Sequence, residues 1–258
     1  MKQFIIGSGW KMNNTVAQSL NLLESLRKNL DGFDAFPIYV LPPFTALYAV
    51  GRLLGQDGLI RFGAQNMHWE EAGAFTGEIA APMLKEVGCT YVEINHQERR
   101  AYFAETNDTA NRKIRTALKH GLKPILCLGE EELLDDEGVR GFLRTQVAEL
   151  LSGVGPAEVA DIIFAYEPRW AIGKADAAPA SHVQKVHGII RGVLEERCGA
   201  GIAARTFIIY GGSVDNNNAV EIAVQPDVNG LFIGRAGLDA VGFAAIIKKV
   251  EQAVGGQQ

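Results

Sequence analysis

Short apolar runs alternate with amphipathic stretches along the chain, and the alternation persists to its end. The runs are residues 4–8, 37–41, 59–64, 90–94, 124–128, 162–166, 206–210 and 230–233. Between them lie apolar residues at helical spacing. Val16, Leu20, Leu22, Leu23 and Leu26 mark the first helix. Val183, Val186, Ile189, Ile190, Val193 and Leu194 mark a later one, with Pro179 and Ser181 as start signals. Phe243, Ile246, Ile247 and Val250 mark the last. Near-continuous apolar strands separated by helices predict a parallel sheet covered by helices, an α/β fold. Eight such units in 258 residues match the size of a (β/α)8 barrel. An open doubly wound sheet is the rival, but no Gly-x-Gly-x-x-Gly signature follows the first strand. No low-complexity stretch or linker divides residues 1–258, which read as one barrel domain.

Barrel strands alternate between lumen and helical shell with period two. In the sixth strand Ile163, Ala165 and Glu167 share one parity, while Phe164 and Tyr166 suit the helix layer. Glu167 is therefore expected to point into the mouth. In the first strand Ile5, Gly7, Gly9 and Lys11 share a parity opposite to Phe4, Ile6 and Trp10, which aims Lys11 inward too. In the fourth, Val92, Ile94 and His96 align, and we expect that set to face the lumen. Three polar groups then converge on the C-terminal face, where barrel enzymes place their chemistry.

The segment after the sixth strand is the most pointed. Glu167 ends a buried strand, and Pro168 follows at once. Proline fixes its own φ and holds the preceding residue extended, so Glu167 leaves on a stiff hinge. The stretch Pro168, Arg169, Trp170, Ala171, Ile172 and Gly173 then reads as a lid able to cover the mouth. The turn Tyr210-Gly211-Gly212-Ser213-Val214 and the turn at Gly234 follow strands seven and eight, where barrels commonly bind phosphate. A carboxylate base, an imidazole, an ammonium group, a phosphate cradle and a lid suit proton abstraction beside a carbonyl in a small phosphorylated substrate. That chemistry calls for no metal and no organic cofactor. The bland readings stand beside it. Lys11 could be a solvated strand end and His96 a hydrogen-bonded structural residue. Arg99 and Arg100 read as a structural ion-pair cluster, and Glu130 as a helix-start carboxylate.

Composition narrows the classes. The net charge is −5 with both signs interspersed, which does not suit a nucleic-acid surface or a polybasic membrane patch. No apolar stretch reaches the roughly 18–20 residues that span a bilayer. The N-terminus reads as a strand, not a signal peptide. Cys89, Cys127 and Cys198 are an odd, scattered set without metal-ligand spacing, as in a reducing cytoplasmic setting.

The motifs resemble the triosephosphate isomerase family along the whole chain. The matching segments are Trp10-Lys11-Met12-Asn13, Gly63-Ala64-Gln65-Asn66, Gly73-Ala74-Phe75-Thr76-Gly77-Glu78, His96 with Glu98-Arg99-Arg100, Cys127-Leu128-Gly129-Glu130, Ala165-Tyr166-Glu167-Pro168, Trp170-Ala171-Ile172-Gly173 and Tyr210-Gly211-Gly212-Ser213-Val214. The resemblance implies Glu167 as base, His96 as neutral electrophile, Lys11 as substrate-binding cation and Glu98 as its supporting carboxylate. It also implies phosphate binding by the backbone at Gly173, Ser213 and Gly234. The partners implied are a small phosphorylated sugar and a second copy of the chain, docked through the Phe75-Thr76-Gly77 loop. Where the family has Asn, this chain has Gly9; where it has Gly-His-Ser, this chain has Asn95-His96-Gln97. Arg169 enters the lid and alters its closing. The hinge reaches Pro179 one residue early, and Arg235 follows Gly234, either adding charge beside the phosphate or pointing to solvent. Losing the side chain at Gly9 loosens the hold on Lys11 or makes room in the pocket. These departures leave three readings. One is isomerisation of dihydroxyacetone phosphate and glyceraldehyde 3-phosphate. Another is isomerisation of a tetrulose phosphate, as in the erythrulose-phosphate isomerase branch. The third is a catalytically silent barrel that binds a phosphorylated metabolite.

Overall fold

The computed structural model describes residues 3–55, 58–171 and 178–256. Eight strands form a closed parallel barrel in chain order. They are β1 Ile5–Gly9, β2 Ile38–Leu41, β3 Ile60–Ala64, β4 Tyr91–Ile94, β5 Lys123–Leu128, β6 Ile163–Tyr166, β7 Phe207–Tyr210 and β8 Gly230–Ile233. Closure comes from β1, which pairs with β2 on one side and with β8 on the other. Each strand falls within an apolar run or one residue beyond it, because burial on both faces removes polar positions from a parallel strand.

The helices are α1 Val16–Asn29, α2 Phe44–Leu54, α3 Ala81–Glu86, α4 Gln97–Phe103, α5 Asn107–Lys119, α6 Asp136–Leu150, α7 Ala180–Cys198, α8 Ala200–Ala203, α9 Ala219–Ala223 and α10 Ala240–Gly255. Their starts are chemically marked. Thr15 and Gln18 form a capping box on α1, and Thr106 and Thr109 form one on α5. Asp135 caps α6, and Asp239 caps α10. Pro179 is the N-cap of α7, where its missing N–H costs no helical hydrogen bond. Among the described residues, no helix is long and apolar enough to cross a membrane.

The core has two layers. Phe4, Ile6, Trp10, Phe164 and Tyr166 pack outward against the helices. Ile5, Tyr39, Cys127, Ile163, Ala165 and Phe232 fill the lumen. The lumen layer is unusually aromatic. The Tyr39 ring lies over Gly7, where an added Cβ would sit 1.9 Å from its Cζ. Only glycine fits beneath that ring. The parities of β1 and β6 are as their sequences predict. That of β4 is reversed: Val92 and Ile94 pack into the shell, while Tyr91 lies in the lumen. His96 therefore needs another route to the mouth.

Candidate active site

Glu167 sits just past β6 with its backbone still in the sheet. Its N–H donates to the Leu128 carbonyl at 2.8 Å, and the Gly211 N–H donates to the Tyr166 carbonyl at 2.9 Å. Two glycines make room for it. A Cβ on Gly129 would lie 2.4 Å from the Glu167 carbonyl oxygen, and one on Gly211 would lie 2.8 Å from Glu167 Cγ. The carboxylate is 5% exposed, and its Oε2 has no hydrogen-bond partner within the protein. Burial raises its pKa; His96 and Lys11 oppose that rise without cancelling it. A buried, raised carboxylate with a free oxygen is suited to accept a proton from carbon.

His96 reaches the mouth through a backbone reversal. Asn95 adopts a left-handed conformation with φ 67°, which breaks the strand parity and delivers His96 to the N-cap of α4. The expectation that Val92, Ile94 and His96 share one face fails for this reason. Asn95 is held tightly. Its N–H donates to Glu105 Oε1 at 2.9 Å, its Nδ2 to the Cys127 carbonyl at 2.9 Å, and Arg100 Nη1 donates to its Oδ1 at 2.8 Å. Glu105 is in turn bound by Arg99 and Lys113, both at 2.7 Å. Arg99 is thus an ion-pair residue as read from sequence, whereas Arg100 serves two side-chain amides, Asn95 and Asn107.

The His96 tautomer follows from its cap position. Nδ1 accepts the Glu98 N–H at 3.2 Å, so the neutral ring carries its proton on Nε2. Nε2 lies 3.7 Å from Glu167 Oε1 and 4.0 Å from Glu93 Oε1. Burial pushes the imidazolium down, but the charges of Glu167 and Glu93 outweigh it and the net shift is upward.

Lys11 also occupies left-handed backbone, with φ 51°. Such a conformation is costly for a non-glycine residue and persists only where the surroundings impose it. Gln65 imposes it here, its Nε2 donating to the carbonyls of Lys11 and Leu41, both at 2.9 Å. Lys11 Nζ lies 2.6 Å from Glu98 Oε1. The ammonium is therefore anchored although Gly9 has no side chain to assist it. The space beside Gly9 is filled, since a Cβ there would meet the Phe232 ring at 3.0 Å. The substitution makes no extra room at that point.

Glu93 was not singled out from the sequence. It is 5% exposed and points inward between the strands. The signal was present: a carboxylate inside the apolar run 90–94, sharing parity with the lumen residue Tyr91. Burial, tempered by His96, raises its pKa to about 7. Glu93, His96 and Glu167 each bring one donor atom within 4.8 Å of the others, the one such grouping among the described residues. The Lys11 ammonium acts on both carboxylates, which suits proton sharing better than a divalent cation.

Beyond Pro168, Arg169–Ala171 form one turn of 3-10 helix. The Trp170 Nε1–H donates to Glu130 Oε1 at 2.7 Å, and the Tyr166 hydroxyl donates to the same oxygen at 2.8 Å. Glu130 is completely buried, so its reading as a helix-start carboxylate is corrected: α6 begins later, capped by Asp135. Glu130 instead ties the first turn of the lid to β6. Arg169 pairs with Glu131 at 3.0 Å on an exposed surface. Ser213 Oγ donates to the Ala171 carbonyl at 3.4 Å. Gly234 opens a short 3-10 turn in which Arg235 is exposed. Ile172 and Gly173 lie outside the described residues.

The arrangement places a buried carboxylate with one oxygen free of hydrogen bonds, an Nε2–H donor and an anchored ammonium on one barrel mouth, beside glycine-rich turns. Comparison with known proteins gives the family. The family model described as triosephosphate isomerase matches residues 4–250. A triosephosphate isomerase of Chlorobium luteolum is 45% identical over 250 residues, covering 96% of this chain and 99% of the relative. One of Chloroflexus aurantiacus is 44% identical over 244 residues, covering 94% and 97%. One of Alkaliphilus metalliredigens is 43% identical over 249 residues, covering 96% and 99%. On fold, site geometry and sequence likeness together, this chain belongs to the triosephosphate isomerase family.

Proposed function

We propose that the protein is an aldose–ketose isomerase interconverting dihydroxyacetone phosphate and glyceraldehyde 3-phosphate through an enediolate. The observation that carries the reading is the 3.7 Å approach of His96 Nε2 to Glu167 Oε1 at the barrel mouth. Glu167 takes the proton from the carbon beside the carbonyl and returns it to the neighbouring carbon. The two oxygens lie on those same two carbons, so a single Nε2–H donor between them can serve both. Lys11 supplies a fixed positive charge for the developing oxyanion and the phosphate, with Glu98 holding it in place. The backbone at Gly173, Ser213 and Gly234 cradles the phosphate, and Arg235 on the following turn adds a positive charge near that end. The lid from Pro168 to Gly173 closes over the intermediate and excludes water, which strengthens these interactions.

Two further features support an assembly of this kind. Met12 is 96% exposed directly beside Lys11 in the chain, and Phe75, Tyr102 and Phe103 are large apolar side chains that are also exposed. Large apolar side chains next to a catalytic lysine suit coverage by a second copy of the chain. We therefore read the protein as a homodimer joined through the Phe75-Thr76-Gly77 loop, each copy one barrel domain over residues 1–258, working in the cytoplasm.

The experiment is a steady-state assay of purified protein with triose phosphates and, in parallel, a tetrulose phosphate. The reading expects kcat/KM for the trioses toward the diffusional range, about 10⁸ M⁻¹s⁻¹. Turnover of the four-carbon substrate alone would overturn the substrate assignment. Binding of both without turnover would leave a silent phosphometabolite binder.

A further inference from the structure

A carboxylate in the lumen of a barrel, with apolar side chains on most sides, is costly unless it shares a proton or a counter-charge. Glu93 is such a group. Its Oε1 lies 4.0 Å from His96 Nε2 and within reach of the Cys127 thiol at 3.8 Å. The groups facing it come from every side of the lumen. Tyr39 stands on β2, Cys127 on β5, Glu167 beyond β6 and Lys11 beyond β1, with His96 and Glu98 at the start of α4. Lys11 is already paired with Glu98 at 2.6 Å, and the buried Tyr39 hydroxyl has no hydrogen-bond partner in the protein. The His96 Nε2–H is therefore the donor best placed to meet an ionised Glu93.

We propose that Glu93 is a positioning residue of this site: once ionised, its carboxylate accepts from the His96 Nε2–H, and its protonation releases that donor to a substrate oxygen. The proposal rests on the function proposed above only where it refers to substrate; the approach of the Nε2–H to Glu93 is a property of the free protein.

The charge balance explains why a proton must be held. Glu93 and Glu167 are two carboxylates converging on one imidazole, and both are buried. Two like charges so placed cannot both ionise freely, and an incoming phosphate ester adds more negative charge. One proton on Glu93 relieves the repulsion while leaving Glu167 ionised as the base. A shift of about 1 Å brings Nε2 and Oε1 into hydrogen-bond range. The three groups then titrate as a unit, so the observable is a macroscopic step that belongs to the set. Glu93 itself is raised to about 7, which places that step near neutrality.

The test is heteronuclear NMR of the His96 ring in the ligand-free protein from pH 5 to 9, in the wild type, Glu93→Gln and Glu93→Leu. The wild type shows a step near neutrality in the His96 ring shifts. In both variants that step is lost, because the carboxyl whose ionisation it reports is gone. Both variants stay folded, since a neutral group replaces a buried carboxyl. Identical His96 titrations in the wild type and Glu93→Gln would overturn the proposal. A purely structural Glu93 would lower the melting temperature on substitution and leave the His96 titration unmoved. The kcat pH profile on triose phosphate then reports the consequence, with the limb near neutrality displaced in Glu93→Gln. A wild type that shows the NMR step but does not turn over trioses defeats the substrate reading and leaves this inference standing.

Discussion

Gly211 and Glu167 are fitted to each other: a Cβ on Gly211 would sit 2.8 Å from the Glu167 Cγ. The hydrogen at Gly211 is what lets the carboxylate lie flat against the turn after β7. Gly211 has no positive φ, so alanine meets no backbone strain there. Gly211→Ala should therefore fold but push the carboxylate aside. A misplacement near 1 Å costs about 10²-fold in rate, and kcat should fall by that order with a melting temperature close to the wild type. Unchanged kcat would mean that the Glu167 position is not constrained as described.

Glu105 supports the other half of the site. It accepts from the Asn95 N–H, Arg99 and Lys113, and so fixes the left-handed turn that aims His96. Glu105→Leu strands the buried Lys113 charge and frees Asn95. The expected loss is about 3–5 kcal/mol in chemical denaturation, together with reduced kcat. Burial disfavours the Glu105 carboxylate, but Lys113 and Arg99 outweigh it and hold its pKa below the usual range. Its contribution is thus fully present above the unfolded carboxylate pKa, roughly 4.3, and is lost as pH falls below that toward the lower folded value. In the variant, that part of the acid destabilisation should disappear. A Glu105→Leu protein as stable as the wild type at neutral pH would refute the role.

The lid offers a contrast between neighbours. Arg169 makes an exposed pair with Glu131, and such pairs contribute about 0–1 kcal/mol. Trp170 donates into the buried Glu130 carboxylate, where loss of a hydrogen bond to a charged group costs about 1.5–3 kcal/mol. Arg169→Val should leave kcat and KM within a few-fold, whereas Trp170→Phe should lower kcat by ten-fold or more. Reversal of that order in steady-state kinetics would show that Arg169 governs closing, as its sequence position first suggests.

The base predicts its own pH limb. Burial, opposed in part by His96 and Lys11, raises the Glu167 pKa. Proton abstraction needs the ionised form, so kcat/KM should fall as pH drops through a value above the ordinary carboxylate range. Replacing Lys11 by methionine removes a charge that favours the carboxylate and should move this limb upward. A limb at or below about pH 4 in the wild type would contradict the burial argument.

Much of this was legible in the sequence. Doubly buried strands leave apolar runs, so all eight strands could be placed from the pattern. Period-two parity correctly aimed Glu167 and Lys11. It failed at β4, because parity assumes continuous extended backbone and Asn95 turns left-handed just before His96. Glu93 is legible only once Tyr91 is known to face the lumen, because the two share a parity. Glu130 looked like a helix start because its partners, Tyr166 and Trp170, lie 36 and 40 residues away. The Glu105–Lys113 pair ties the loop between α4 and α5 to α5, and spacing alone does not reveal that it supports Asn95.

The central claim is that Glu167 moves a proton between carbon and itself beside His96. Deuterium incorporation from D₂O into dihydroxyacetone phosphate, followed by proton NMR, tests this directly. The wild type should build carbon-bound deuterium into substrate and product, and Glu167→Gln should lose that exchange by about 10²–10⁴-fold while still binding the phosphate ester. Exchange that persists in Glu167→Gln at the wild-type rate would contradict the account.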